Sequence, residues 1–203
     1  LEFTATADFE TKSSYSVTVS VNDPTVGATP DDSQGFTLSI TDVNEAPALS
    51  LDPTSGSLDE NNTLPNAVTS ITINDDALGS NTLSLSGTDA SAFQIDGTDL
   101  DFTETADFET KSSYAVTVEV DDPNVGAGPD DSEDFSLSIN DVNEASALSL
   151  SSTSTSINEN NSPPNVLTTI TVNDPDGGTN TLSLSGTDAS AFQIDGTDLD
   201  FTE

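Results

Sequence analysis

Apolar and polar residues alternate in short runs along the whole chain, as in Val17-Thr-Val-Ser-Val21, Ile71-Thr-Ile73, Leu83-Ser-Leu85 and Val116-Thr-Val-Glu-Val120. A period of two is the signature of a β-strand with one buried face, and no stretch of useful length carries the 3.6-residue period of a helix. In the middle of the chain the alternation predicts strands near 48–51, 57–60, 68–74, 82–86, 92–95, 99–103, 113–121 and 134–140, the first two as segments of one split edge strand. Asn61-Asn62, Gly87-Thr-Asp89, Asp96-Gly97 and the stretch from Asp122-Pro123 to Gly128-Pro129 supply the turns between them. The inward positions make the expected core: Leu49, Leu51, Val68, Ile71, Ile73, Leu83, Leu85, Phe93, Ile95, Leu100, Phe102, Phe108, Tyr114, Val116, Val118, Val120, Phe135, Leu137 and Ile139.

The pattern returns at a fixed interval. Leu1-Glu-Phe-Thr4 recurs as Leu100-Asp-Phe-Thr103 and again as Leu199-Asp-Phe-Thr202, a period of 99 residues. Asn81 to Glu104 is repeated without change as Asn180 to Glu203, and Ala7 to Tyr15 as Ala106 to Tyr114. Between copies stand two short acidic joins, Asp42-Val43-Asn44-Glu45-Ala46-Pro47 and Asp141-Val142-Asn143-Glu144-Ala145. Cutting there gives one whole module, 47–145, flanked by the second half of one (1–46) and the first half of another (146–203). About seven short strands per module suit an all-β, Greek-key, immunoglobulin-like sandwich. Each half-module alone leaves unpaired edges, so the chain is expected to belong to a longer polypeptide or to a head-to-tail assembly.

Composition narrows the chemistry. Hydrophobic residues are only 32% of the chain, a value that also suits a disordered acidic tail, and it is the regular alternation that decides for folded strands. With 37 acidic and 2 basic residues the formal charge is -35, which makes nucleic acid and anionic membrane poor partners and fits a saline medium that screens self-repulsion. Cysteine and histidine are absent, which removes disulfides, thiol and imidazole catalysis and the usual zinc or copper sites. No apolar run approaches the roughly 20 residues of a membrane-spanning helix.

Four acidic signals recur around each join. They are Asp-Phe-Glu (Asp8 and Glu10; Asp107 and Glu109), a Glu in an Asn-rich turn (Glu60; Glu159), the loop Asp174-Pro-Asp176-Gly-Gly-Thr-Asn180, and the Asp closing the long Val/Thr strand (Asp23; Asp122). Calcium takes six to eight hard oxygens, which irregular loops can offer as carboxylate, amide and backbone groups together. Lys12 and Lys111 are expected in surface ion pairs, Phe9 and Phe108 as seats of the Asp-Phe-Glu loop on the core, and Asn61 and Asn160 as turn residues despite matching glycosylation acceptors.

In this order and at this period the four signals resemble the cadherin family, and its bacterial cadherin-like repeats in particular. The resemblance covers the whole chain. Asp-Phe-Glu is similar to that family's LDRE element, the joins to its DxNDNxP linker, and 174–180 to its DxDxGxN loop. It implies calcium at both joins. The second would gather Glu60, Asp107, Glu109, Asp141, Asn143, Glu144, Asp174, Asp176 and Asn180; the first would gather Asp8, Glu10, Asp42, Asn44, Glu45, Asp75, Asn81 and Asp122. Asp23 and Glu159 would serve joins whose other halves lie outside the chain. The match departs at Glu45, Ala46, Glu144 and Ala145, and at Asp75-Asp76-Ala77, where Ala77 occupies the second Asp position. The first join is therefore expected to hold less calcium, or to hold it more weakly.

Three function classes compete. The leading one is a non-catalytic spacer, the stalk or filament of an exported bacterial surface protein, whose near-identical modules contact only their neighbours. A carbohydrate-binding module is the alternative; it calls for exposed aromatic residues, and tryptophan is absent. A two-carboxylate glycosidase would need a deep pocket repeated in every module. Lateral association of like chains is left open by the residues.

Overall fold

A computed structural model describes residues 1–27, 29–76, 78–151 and 156–203. Its strands are β1 (Ser14–Val21), β2 (Asp32–Ser39), β3 (Ala48–Asp52), β4 (Ser55–Asp59), β5 (Asn66–Asn74), β6 (Thr82–Ser86), β7 (Phe93–Asp96), β8 (Asp99–Phe102), β9 (Ser113–Asp121), β10 (Asp131–Asn140), β11 (Ala147–Leu150), β12 (Asn165–Asn173), β13 (Phe192–Asp195) and β14 (Asp198–Phe201). Among the described residues the helical content is two single 3-10 turns, Ala90–Ala92 and Ala189–Ala191, so none is long and apolar enough to cross a membrane. The chain divides into two compact units whose limits differ from those of the sequence repeat: residues 1–56, 64–104 and 114–137, and residues 57–63, 105–113 and 138–203.

The first unit holds the hairpin β1-β2, the sheet β3-β5-β8-β7, and the strands β6, β9 and most of β10, in the sheet order β4-β10-β9-β6. β3 and β4 are the two halves of the split edge strand, parted at Pro53-Thr54, and they join different sheets. The two sheets close over Leu49, Leu51, Ile71, Phe93, Leu100, Phe102, Tyr114, Val116, Val118, Val120, Phe135 and Leu137, all of them buried. Phe93 stands edge-on to Phe102 at 5.4 Å and to Phe135 at 6.2 Å, and Phe102 edge-on to Tyr114 at 4.8 Å. Offset edge contacts at these separations suit aromatic quadrupoles and lock the two layers together. Val68, Ile73, Leu83, Leu85 and Ile95, expected in the core, are only half-buried.

The hairpin β1-β2 carries the same apolar positions one repeat earlier, in register from Ser14 opposite Ser39 to Val21 opposite Asp32. Here nothing covers them among the described residues. Val19 is 53% exposed where Val118 is 0%, and Phe36 is 50% exposed where Phe135 is 1%. Leu1–Phe3 form no strand, although the same Leu-x-Phe pattern lies in β8 and β14. The physical reason is pairing: β8 lies hydrogen-bonded between β5 and β7, and β14 between β12 and β13, whereas no described strand flanks Leu1–Phe3.

The second unit holds the sheet β11-β12-β14-β13, with Ala147–Leu150 paired to Ile170–Asn173. Phe192 stands edge-on to Phe201 at 5.6 Å, as Phe93 does to Phe102. Thr181–Ser185 form no strand, although the identical Thr82–Ser86 form β6 by pairing with β9. Ile139, Ala106, Ile170, Ala191 and the carboxylate of Glu60 are buried in this unit, while Phe108 is half-buried.

The contrast between repeat positions yields a stability prediction. Phe135→Ala empties a buried site and should cost about 3–5 kcal/mol in a denaturant titration followed by circular dichroism. In dilute solution Phe36→Ala, the same residue one repeat earlier and half exposed, should cost well under half as much; equal losses would show that β1-β2 is covered.

Candidate metal centres

In the second unit Glu60 follows β4 directly and is 3% exposed. A buried carboxylate needs donors, and Glu60 has two: Phe108 N–H reaches Oε2 and Val142 N–H reaches Oε1, each at 2.7 Å. One side chain thus ties the Asp-Phe-Glu loop to the acidic join. Asn61 adopts a left-handed backbone (φ 56), donates its N–H to Ala106 O at 3.0 Å, and gives its Nδ2–H to Glu144 Oε1 at 2.6 Å. Asn62 Oδ1 accepts Ala106 N–H at 2.7 Å. The loop itself is closed by Asp107, whose Oδ1 accepts Thr110 N–H at 2.9 Å and whose carbonyl accepts Lys111 N–H at 2.8 Å.

With the loop and the join so held, one carboxylate oxygen each from Glu60, Glu109, Asp141 and Asp176 lies within 4.8 Å of the others. Two oxygens bound to one calcium at about 2.3–2.6 Å can be no farther apart than about 5.2 Å, so this spacing fits a shared ion. Asp176 also accepts Glu144 N–H on Oδ2 at 2.5 Å, while its buried Oδ1 has no hydrogen-bond partner. Asp174 and Asn180 pair with each other (Nδ2 to Oδ2, 2.7 Å), Asn180 Oδ1 accepts from Ser146 Oγ, and Asn143 Nδ2 donates to Glu144 O at 3.3 Å.

The first unit repeats the plan with one change. Glu10, Asp42 and Asp76 bring their oxygens within 4.8 Å of one another. The resemblance puts Ala77 at the second Asp position, and Ala77 lies outside the described residues. Yet Asp76 Oδ2 accepts Glu45 N–H at 2.8 Å, the same bond that Asp176 makes to Glu144 N–H. The loop thus puts a carboxylate in the same role from one residue earlier. The signal was present in the paired acids Asp75-Asp76, but spacing alone does not say which one turns inward.

Beside this group lies a second knot of oxygens. Asp122 is 1% exposed and accepts Asn44 Nδ2–H on Oδ2 at 2.9 Å and Asn124 N–H on Oδ1 at 3.0 Å. Gly79 (φ +79) packs so close that an added Cβ would fall 1.8 Å from Asp122 Oδ2 and 2.8 Å from Asn44 Oδ1, so only glycine fits. Asp75 Oδ2 accepts Asn81 Nδ2–H at 2.6 Å. Asp42 Oδ1, Asn44 Oδ1 and Asp75 Oδ1 are buried without a hydrogen-bond partner. Orphaned acceptors are rare in folded proteins, and three of them beside a carboxylate cluster have the chemistry of a hard-cation cradle. Asp8 is spent on its own turn, accepting Thr11 N–H and the Thr11 hydroxyl at 2.9 Å each.

Asp23 and Glu159 belong to neither cluster; Asp23 accepts Thr25 N–H at 2.9 Å. The ammonium of Lys12, expected in an ion pair, lies over the Tyr15 ring, 4.5 Å from its centroid.

Electrostatics separate the clustered acids from the loop acids. Asp141 is held above the ordinary carboxylate range, first by a hydrogen bond with Asp176 that requires a proton between the two, then by lost hydration and the charges of Asp176, Glu60 and Glu144. Glu109 feels its own N–H, which favours the charged form, but partial desolvation and the charges of Glu60, Glu144 and Asp176 outweigh it and push the group up. Glu10 is raised in the same way, its own N–H being outweighed by desolvation, Glu45 and Asp42. By contrast Asp122 is held low by the Asn44 side chain and Asn124 N–H, Asp8 by Thr11, and Asp23 by Thr25. Asp122, Asp8 and Asp23 are thus settled as anions by their donors, whereas Glu10, Glu109 and Asp141 face other carboxylates and lack positive charge.

No family model matches the chain, and no curated protein does. Solved structures do. The chain superposes on γB7 protocadherin EC3–6 in its cis-dimer (TM-score 0.60, 21% identity, 98% of this chain and 50% of that one). It also superposes on mouse cadherin-23 EC22–24 (0.58, 23%, 98% and 67%) and on human protocadherin-24 EC1–2 (0.53, 21%, 80% of each). It spans about half the length of the γB7 and γB2 protocadherin fragments that it matches. At these identities the likeness establishes the fold, which is the all-β, immunoglobulin-type sandwich of cadherin extracellular domains.

Proposed function

We propose that the chain is a non-catalytic spacer from an exported repeat protein, an adhesin stalk or extracellular filament, of which 47–145 is one whole module, 1–46 the second half of another and 146–203 the first half of a third, with calcium at the joins. The observation that carries this reading is the pair of carboxylate clusters, each assembled from segments far apart in sequence, with buried oxygens left without donors. Glu60, Glu109, Asp141 and Asp176 would hold an ion at the second join, and Glu10, Asp42 and Asp76, with Asn44, Asp75 and Asp122 beside them, at the first. Bound calcium would supply the missing positive charge. The chain's own residues fix the loops: Glu60 clamps the second join and Asp122 with Gly79 the first. Solved structures described as extracellular cadherin domains support the extracellular placement.

Calcium titration by calorimetry tests the ligand sets. Asp141→Asn and Asp176→Asn should each weaken the second site at least about tenfold, roughly 1.4 kcal/mol, and leave the first unchanged. Asp76→Asn should do the reverse, and Lys111→Ala should change neither site. The unaltered first site, with three clustered carboxylates, should bind more weakly than the second with four. No calcium heat with the unaltered chain would sink the reading.

The pH dependence should change sign with calcium. Without it, the raised Glu10, Glu109 and Asp141 contribute stability that is present below their unfolded pKa and lost as pH rises through the folded value. Acidification from pH 7 to about 4.5 should therefore stabilise the chelated chain or leave it level, since the lowered Asp122 and Asp8 give up their share only on falling through still lower values. With calcium the same acidification drives protons against the ion, and the melting temperature should drop. Parallel curves in calcium and in chelator would contradict cation binding at these acids.

Stiffening is a separate consequence. Small-angle scattering should give a longer maximum dimension and less flexibility in calcium than in chelator, and identical profiles would leave calcium without a mechanical role.

A further inference from the structure

Aspartate precedes proline four times, at Asp23-Pro24, Asp52-Pro53, Asp122-Pro123 and Asp174-Pro175. An Asp-Pro bond is open to attack by its own side chain. The aspartate carboxylate can close on its own carbonyl carbon as a cyclic anhydride, and the proline nitrogen, part of a tertiary amide, takes up a proton and leaves more readily than an ordinary amide nitrogen. The fold treats the four carboxylates differently. Asp23 Oδ1 accepts Thr25 N–H at 2.9 Å and the Thr25 hydroxyl at 2.7 Å. Asp122 is 1% exposed and accepts Asn44 Nδ2–H on Oδ2 and both Asn124 N–H and Asn124 Nδ2–H on Oδ1. Asp174 Oδ2 accepts Asn180 Nδ2–H at 2.7 Å. The Asp52 carboxylate is exposed at the end of β3 and, among the described residues, takes no hydrogen bond. Hydrogen bonds to an ionised carboxylate are among the stronger ones, and at the other three bonds they must break before the side chain can turn on its carbonyl.

We propose that Asp52-Pro53 is a self-scission site at which the folded chain cuts itself in acid, while donors hold back the other three Asp-Pro bonds. A carboxylate oxygen of Asp52 attacks the Asp52 carbonyl carbon. The new C–O bond closes a cyclic anhydride as the C–N bond to Pro53 breaks, and Pro53 leaves as a secondary amine carrying a proton from solvent. One water then opens the anhydride and restores the Asp52 side-chain carboxyl beside a new α-carboxyl, so the net reaction is hydrolysis of one peptide bond by water alone. The cut falls between β3 and β4, which belong to different sheets. Covalent continuity is lost there, yet β3 stays paired with β5 from Ala48 opposite Asn74 to Asp52 opposite Ser70, and Leu49 and Leu51 stay buried. An acidified chain is thus severed while its strands keep their places. The inference does not depend on calcium at the joins.

The test incubates the full chain with chelator at about pH 4.5, near the ordinary carboxylate range, and follows its fragments by intact mass spectrometry. Fragments 1–52 and 53–203 should accumulate several-fold faster than the products of scission at Asp23, Asp122 or Asp174. In concentrated guanidinium chloride at the same pH, where the donors are lost, the four bonds should cleave at similar rates. Asp52→Ala should abolish the first pair of fragments, and Asn180→Ala, which takes the donor from Asp174, should raise scission at Asp174-Pro175 several-fold in the folded chain. On size exclusion the two fragments should elute together until denaturant is added. Equal rates at the four bonds of the folded chain, a cut after residue 52 that survives Asp52→Ala, or no response to Asn180→Ala would each overturn the proposal. Fragments that part without denaturant would overturn the claim that β3 holds the severed chain together.

Discussion

Mutual repulsion among carboxylates is the constraint on which the joins depend. The donors that settle Asp8 and Asp122 as anions are hydroxyls, amides and backbone N–H groups of their own surroundings. Glu10, Asp42 and Asp76, and likewise Glu60, Glu109, Asp141 and Asp176, face one another. Two lysines in the whole chain cannot balance this, and the Lys12 ammonium lies over a tyrosine ring. The loops are nevertheless firmly braced, through the two N–H bonds to Glu60 and the close seat of Gly79 against Asp122. Buried hydrogen bonds thus hold together like charges that could share a metal ion.

The second constraint is that strands here exist by partnership. Thr-Leu-Ser-Leu-Ser is a strand at 82–86 and not at 181–185, and the Leu-x-Phe pattern is a strand at 100–102 and not at 1–3. Local propensity is identical in the first pair and nearly so in the second, so the difference belongs to hydrogen-bond partners and covering side chains. The same logic divides Val118 from Val19 and Phe135 from Phe36.

Much of this was legible in the residues. Strict alternation placed the strands of the central module within a few residues, because a one-residue slip would turn every apolar side chain outward. The candidate ligands Glu60, Glu109, Asp141 and Asp176 could be named because the acidic motifs around each join resemble those of cadherin repeats. Legibility failed where tertiary geometry decides. Asp76 and Asp75 are neighbours, and only the loop's path says which meets Glu10. Asp101 is buried because β8 is flanked by strands on both sides, with Gln94 Nε2 donating to it at 3.3 Å, whereas alternation assigns it to solvent. Ala92 and Ala106 are buried by a 3-10 turn and by the Asn62 bond, neither of which carries a two-residue period.

A crystal structure of the chain grown in calcium, with anomalous scattering collected to locate the ion, tests the central claim most directly. The account predicts a peak bounded by the carboxylates of Glu60, Glu109, Asp141 and Asp176 and another by those of Glu10, Asp42 and Asp76, with oxygens at about 2.3–2.6 Å. Carboxylates turned apart into solvent, with no peak at either join, would contradict it.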